Sequence, residues 1–134
     1  MRAVPSRLAK VTLLVLLVFT IGAAAFSARA QSASTYQMSC NGIGAAGSTM
    51  FANCRRINGS FSRTSIQIRG VENINGALRF SGMGQTSTFQ NSCSHIGVAG
   101  STLYAACRRI DGGFERASIL IPGIENIDGQ LHYQ

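Results

Sequence analysis

GVENINGALRF, at residues 70–80, returns as GIENIDGQLHY at residues 123–133. In each stretch a short apolar run meets an Asx-Gly dipeptide, Asn75-Gly76 or Asp128-Gly129, and an alternating run follows. Such dipeptides supply the positive φ angles of a two-residue type I′ turn, so each stretch predicts a β-hairpin. Past the turn, alternation sets Leu78 and Phe80 on one face, with Leu131 and Tyr133 in the same places of the second stretch. Upstream, Ser65-Ile66-Gln67-Ile68-Arg69 reads as a strand with Ile66 and Ile68 on one side, matched by Ile119 and Ile121. Further upstream, AAGSTMFANCRRINGSF (45–61) pairs with VAGSTLYAACRRIDGGF (98–114), and these carry Asn58-Gly59 and Asp111-Gly112, for which the same two-residue turn is expected. Residues 45–53 and 98–106 have room for a helical turn, but nothing after residue 31 shows a long, capped helical period.

These blocks belong to one duplication. At an offset of 53 residues, positions 37–81 and 90–134 agree without gaps at 26 of 45 positions. A small polar linker, Ser81-Gly82-Met83-Gly84-Gln85-Thr86-Ser87, lies between the copies. The expected architecture is all-β, mainly antiparallel, with a pseudo-twofold relation between repeats.

The four cysteines, Cys40, Cys54, Cys93 and Cys107, repeat one spacing. Four cysteines allow three connectivities, and the duplication favours Cys40 with Cys54 and Cys93 with Cys107, because each unit then closes the same loop. Each such loop contributes roughly 3 kcal/mol in the chain-entropy model, a useful supplement to a small core. A zinc site is disfavoured, since there is no Cys-x-x-Cys pair and neither histidine recurs: His95 aligns with Gly42 and His132 with Arg79. No metal and no cofactor are expected.

The chain has 134 residues, 46% of them apolar and 13% charged, too hydrophobic for a disordered chain. Its formal charge of +7 draws on Arg2, Arg7, Lys10 and Arg29, all within residues 1–30. There, three basic residues precede the apolar run Val11 to Phe26, and Ala28-Arg29-Ala30 offers a small-residue cleavage site. This predicts a secretory signal peptide cut before Gln31. The competing membrane anchor is disfavoured, because the run is shorter than the roughly 20 residues that span a bilayer. The expected product is a single domain, residues 31–134, secreted or periplasmic and free of the membrane after cleavage. It holds eight Arg, no Lys and five acidic residues, a net +3 without a basic stripe, so nucleic acid is not an expected partner.

Residues 38–134 resemble the cyanovirin-N homology family of small duplicated lectins. The resemblance rests on a cysteine near the start of each repeat and another fourteen positions on, then Arg-Arg-Ile-(Asn/Asp)-Gly-(Ser/Gly)-Phe and Glu-Asn-Ile-(Asn/Asp)-Gly-x-Leu-x-(Phe/Tyr). It implies two pseudo-domains, each a three-stranded sheet with a hairpin, and strands exchanged between repeats. It also implies binding of high-mannose glycans at shallow sites near the two ends. One would combine Met38, Ser39, Arg55, Arg56, Ile57 and Asn58 with Asn126, Ile127 and Asp128. The other would combine Glu72, Asn73 and Asn75 with the linker and Arg108, Arg109, Ile110 and Asp111. Departures also stand out. Arg-Arg-Ile follows the second cysteine of both copies, where family members often carry hydroxyl or acidic groups, and Gly112 removes a side chain from the second site. Altered or weaker preference, or loss of one site, is the expectation.

The chemistry fits that role. A sugar presents adjacent hydroxyls that donate and accept, which carboxylates, amides and planar guanidinium groups can meet, and the missing Trp points to recognition by hydrogen bonding. The same residues also have a purely structural reading. Asn73 and Asn126 can bridge turns, Asn75 and Asp128 serve a type I′ turn regardless of ligand, and Glu72 and Glu125 can form surface ion pairs. An enzyme is not expected: Glu72 and Glu125 are repeat equivalents, which the resemblance sets at opposite ends, against joint acid–base work. The alternative function is a secreted interaction module that has lost sugar binding. Asn58-Gly59-Ser60 is also an N-glycosylation sequon. A monomer is expected, with a domain-swapped dimer as the alternative.

Overall fold

The computed structural model describes residues 32–134, so the expected signal peptide lies outside the described residues. The first repeat forms β1 (Cys40–Ala46), β2 (Thr49–Arg55), β3 (Phe61–Gln67), β4 (Val71–Ile74) and β5 (Ala77–Phe80). The second forms β6 (Cys93–Ala99), β7 (Thr102–Arg108), β8 (Phe114–Leu120), β9 (Ile124–Ile127) and β10 (Gln130–Tyr133). All pairing is antiparallel, in two three-stranded sheets, β1-β2-β3 and β6-β7-β8, and two hairpins, β4-β5 and β9-β10.

The hairpins are exchanged. β10 packs on β3 and β5 on β8, so each repeat's hairpin completes the other repeat's sheet. Leu131 N–H donates to Thr64 Oγ1 at 3.2 Å, and Tyr133 Oη donates to the Gln67 carbonyl at 2.7 Å. The alternating residues face inward as expected: Ile68, Ile121, Leu78 and Leu131 are buried, with Ile66, Ile119, Phe80 and Tyr133 packed against them. Tyr36 and Phe89, repeat equivalents, are fully buried beside Met50 and Leu103. Each sits in a single 3-10 turn, Tyr36–Met38 and Phe89–Asn91, that hydropathy periodicity does not reveal.

Both disulfides, Cys40–Cys54 and Cys93–Cys107, join residues directly opposite on paired strands, with Cα atoms 4.0 Å apart.

The turns split into two kinds. Asn75 (φ 50°) and Gly76 (87°), and Asp128 (49°) and Gly129 (88°), have both central residues left-handed, as a type I′ turn demands. At Asn58-Gly59 and Asp111-Gly112 the expected hairpins form, β2 with β3 and β7 with β8, but the turn type differs, because only the glycine is left-handed. Gly59 N–H donates to the Arg56 carbonyl at 2.9 Å, and Arg56 N–H to the Ser60 carbonyl at 2.7 Å. This is a type I turn closed by a glycine bulge, which makes a longer loop with Ile57 at its tip. The loop at Arg109 to Gly113 repeats it. The helical turn entertained within 45–53 and 98–106 is also absent: both segments are strand, tight turn, strand, with Gly47 and Gly100 supplying φ near +60°.

The linker is also more than a spacer. Buried Ser87 donates to the Ile68 carbonyl at 2.5 Å and accepts from Val71 N–H at 3.0 Å, while Arg69 Nε holds the Met83 carbonyl at 2.7 Å. Ser34, its repeat equivalent, makes the same pair of bonds with Ile121 and Ile124. Residues 32–35 therefore serve the second hairpin as the linker serves the first.

Candidate functional site: two loop–hairpin junctions

The Arg-Arg-Ile loops and the Glu-Asn-Ile hairpins, far apart in sequence, meet because the hairpins are exchanged. In the first junction Asn126 Nδ2 donates to the Arg55 carbonyl and to Ser39 Oγ, both at 2.9 Å, while its Oδ1 accepts from Gly129 N–H at 2.8 Å. Asp128 Oδ1 accepts from Ile57 N–H at 2.9 Å. The second junction repeats these bonds. Asn73 Nδ2 donates to the Arg108 carbonyl and Ser92 Oγ at 2.9 Å, its Oδ1 accepts from Gly76 N–H at 2.8 Å, and Asn75 Oδ1 accepts from Ile110 N–H at 2.9 Å.

The contact is close enough to require glycine at the hairpin turn. A Cβ at Gly129 would lie 2.7 Å from Arg56 Cγ, and one at Gly76 would lie 2.8 Å from Arg109 Cγ. The first arginine of each pair does something else: Arg55 lies over the Phe61 ring at 5.6 Å and Arg108 over Phe114 at 5.5 Å. Such stacking fixes a guanidinium without consuming its N–H groups. At both loop tips, Ile57 and Ile110 are 91% exposed.

Within the loops, Asn58 Oδ1 accepts from Ser60 N–H at 2.9 Å and from Ser60 Oγ at 2.6 Å. Asp111 Oδ1 accepts from Gly113 N–H at 2.9 Å and from Arg109 Nε at 3.4 Å. The Gly113 N–H bond, assisted by the Arg109 guanidinium, holds the Asp111 carboxyl below its ordinary value.

The structure thus brings Arg55, Arg56, Asn58, Asn126 and Asp128 into one junction, and Asn73, Asn75, Arg108, Arg109 and Asp111 into the other. Glu72 stands apart. It faces Arg79 across the hairpin ladder, on the opposite side from Asn73, and no bond joins it to the second loop among the described residues. Neither Glu72 nor Glu125 forms an ion pair there; Arg109–Asp111 is the one salt bridge among the described residues. Asn73 and Asn126 spend both amide hydrogens and one oxygen lone pair on the protein, so their main work is to fasten hairpin to loop. The atoms left for a ligand are Asn58 Nδ2 and Asn75 Nδ2, the second oxygens of Asp111 and Asp128, and the unspent guanidinium N–H groups of the arginines, all on backbone held still by these bonds. The sequence motif includes Phe61 and Phe114 but does not reveal their role beneath Arg55 and Arg108; Ser92, absent from the expected site, is the repeat equivalent of Ser39.

A family model described as CVNH domain matches residues 36–132. Among solved structures, a CVNH protein of T. borchii is 27% identical, with a TM-score of 0.61 over 75% of this chain and 99% of that one. A MoCVNH3 variant in complex with (N-GlcNAc)4 is 22% identical, with a TM-score of 0.63 over 78% of this chain and 100% of that one. Microvirin in a mannobiose complex is 22% identical, with a TM-score of 0.55 over 75% of this chain and 99% of that one.

Proposed function

Because the chain belongs to the CVNH family, we propose that it is a non-catalytic lectin that binds mannose-rich glycans at one or both junctions. The observation that carries this reading is the doubling of one arrangement: an Asx hairpin turn clamped to an arginine loop, with unspent amide, carboxylate and guanidinium atoms facing outward on fixed backbone. Fixed, paired donors and acceptors suit vicinal hydroxyls, since little ordering entropy remains for binding to overcome. Relatives captured with (N-GlcNAc)4 and with mannobiose support a sugar as the ligand class.

In this reading Arg55, Arg56, Asn58 and Asp128 form one sugar-facing set, and Asn75, Arg108, Arg109 and Asp111 the other. Asn126 and Asn73 position them, and Glu72 is peripheral. Residues 1–30 act as a secretory signal, and the domain works outside the cytoplasm as a monomer.

The test is a calorimetric titration of the oxidised protein with a neutral high-mannose oligosaccharide at about 0.15 and 0.5 M salt, which differ strongly in screening. Binding that is insensitive to salt, with a stoichiometry of one or two, is the expected result. No binding in either buffer overturns it and leaves an interaction module; association with polyanions that salt abolishes identifies the arginines as its contact surface.

A further inference from the structure

Around the bulge in each sheet's outer face, the two sheets differ at three neighbouring positions, 42/95, 51/104 and 53/106. In β1-β2-β3, Gly42 (φ +58°) occupies a bulge, and a Cβ there would lie 2.9 Å from Asn53 Nδ2. Beside it Arg63 covers the Phe51 ring at 5.1 Å. In β6-β7-β8 the equivalent residues are His95, Ala106, Arg116 and Tyr104. Shortening Asn53 to Ala106 makes room for the His95 side chain, which stands at φ +52°, a left-handed position costly for any residue but glycine. No stack forms between Arg116 and Tyr104, and Arg116 has no ion-pair partner among the described residues.

The result is an open depression of about 430 Å³ lined by His95, Tyr104, Ala105, Ala106, Arg116 and Ala117. Tyr104, 46% exposed, lies over Gly97, where any side chain would collide with its ring. Ser94 Oγ holds His95 Nδ1 at 3.1 Å, leaving Nε2 free to meet a ligand. No carboxylate lines the depression: Glu115 is on the other face of β8, against Gly76.

We propose that this depression is a separate binding site for a carboxylate-bearing pyranose, a uronic acid residue. The apolar face of the sugar ring would lie on Tyr104, and the Arg116 guanidinium and His95 Nε2 would take the carboxylate. An aromatic platform suits the C–H face of a pyranose, and a planar guanidinium suits a carboxylate in two-point geometry. The volume falls at the small end of ligand sites, enough for one ring. The inference is independent of the junctions and of whether they bind neutral glycans.

The test is an amide-resolved NMR titration of the oxidised protein with trigalacturonate, its methyl ester and inorganic sulfate. Expected are saturable shifts at Tyr104, Ala106 and Arg116 with the acid, and affinity about tenfold or more weaker with the ester, the loss of one charge-assisted contact. Arg116→Gln should weaken binding similarly, whereas Arg63→Gln, its equivalent on the other sheet, should leave it unchanged. The double variant His95→Gly/Ala106→Asn, which restores the first sheet's pair, should abolish it; well-dispersed spectra certify that each variant is folded. Equal affinity for ester and acid, equal losses in the two arginine variants, or sulfate reproducing the same shifts at the same affinity would each overturn the proposal.

Discussion

Asn126 donates a hydrogen bond to the carbonyl of Arg55, 71 residues away in the chain, at 2.9 Å. Asn73 and Arg108 make the equivalent bond over 35 residues, also at 2.9 Å. The amide at each position satisfies a loop carbonyl, a serine hydroxyl and a turn N–H at once, which no carboxylate or aliphatic side chain can do. Asn126→Ala removes three bonds and is expected to lower stability by about 2 kcal/mol, at typical net values per bond. Asn126→Asp keeps the turn bond but sets a carboxylate against the Arg55 carbonyl, and should cost at least as much. Urea unfolding of the oxidised protein, read by circular dichroism, checks both.

Gly129 and Gly59 have nearly the same backbone angle, φ +88° and +89°, in different surroundings. A Cβ on Gly59 would meet nothing within 4 Å, whereas one on Gly129 would press on Arg56 and Ser62. Gly59→Ala should therefore cost only the left-handed penalty of about 1–2 kcal/mol. Gly129→Ala should cost clearly more and should also disturb the first junction. Thermal midpoints rank the two, and amide shifts at Ile57 report the disturbance.

Burial, with a smaller effect from Tyr133, pushes the Tyr36 phenol up to about 12, and burial also raises Tyr133. The protonated phenol is the form the folded state favours. That stabilisation is complete below the unfolded value near 10, and it fades as pH climbs from there toward about 12. Tyr36→Phe keeps the ring that Phe89 shows to fit the equivalent place, and it should flatten this alkaline decline while losing the bond to the Gly100 carbonyl. Stability against pH between 9 and 12, roughly bracketing the phenol range, for parent and variant is the measurement.

Asp111 shifts the other way. Its carboxyl is held below the ordinary 3.8 by the Gly113 N–H and Arg109, so its contribution is present above that value and is lost as pH falls through the lowered one. Asp111→Asn should remove this share of the acid dependence, detectable as a shallower loss of stability below about pH 4. An unchanged acid limb would show that the loop opens without cost.

Much of this architecture is legible in the residues. The offset of 53, the cysteine spacing and the Asx-Gly turns at 75 and 128 describe two hairpins and two closed loops, and all are present. The dipeptides at 58 and 111 misled because Asx-Gly serves two geometries: both residues left-handed, or a type I turn whose last position alone is left-handed. What separates them is the partner of the Asx oxygen. Asn58 and Asp111 bond forward to residues 60 and 113, whereas Asn75 and Asp128 bond across to the other repeat, a relation no local pattern displays. Asn73 and Asn126 do bridge their turns, as their residue type suggests, through the Gly76 and Gly129 N–H groups; their further bonds to the loop of the other repeat are the part no local pattern displays. The linker's polar composition likewise concealed that Ser87 is buried, since its partners, Ile68 just past β3 and Val71 at the start of β4, lie earlier in the chain.

The exchange of hairpins also sets an order of events during synthesis. The first sheet, β1-β2-β3, emerges early, but the hairpin that covers it, β9-β10, is almost the last part of the described chain to leave the ribosome. Until then the Thr64 hydroxyl and the Gln67 carbonyl lack the bonds that Leu131 and Tyr133 of β10 give them. The contacts that close the first sheet span 67 and 66 residues, and such non-local pairing carries a loop-closure cost that slows folding.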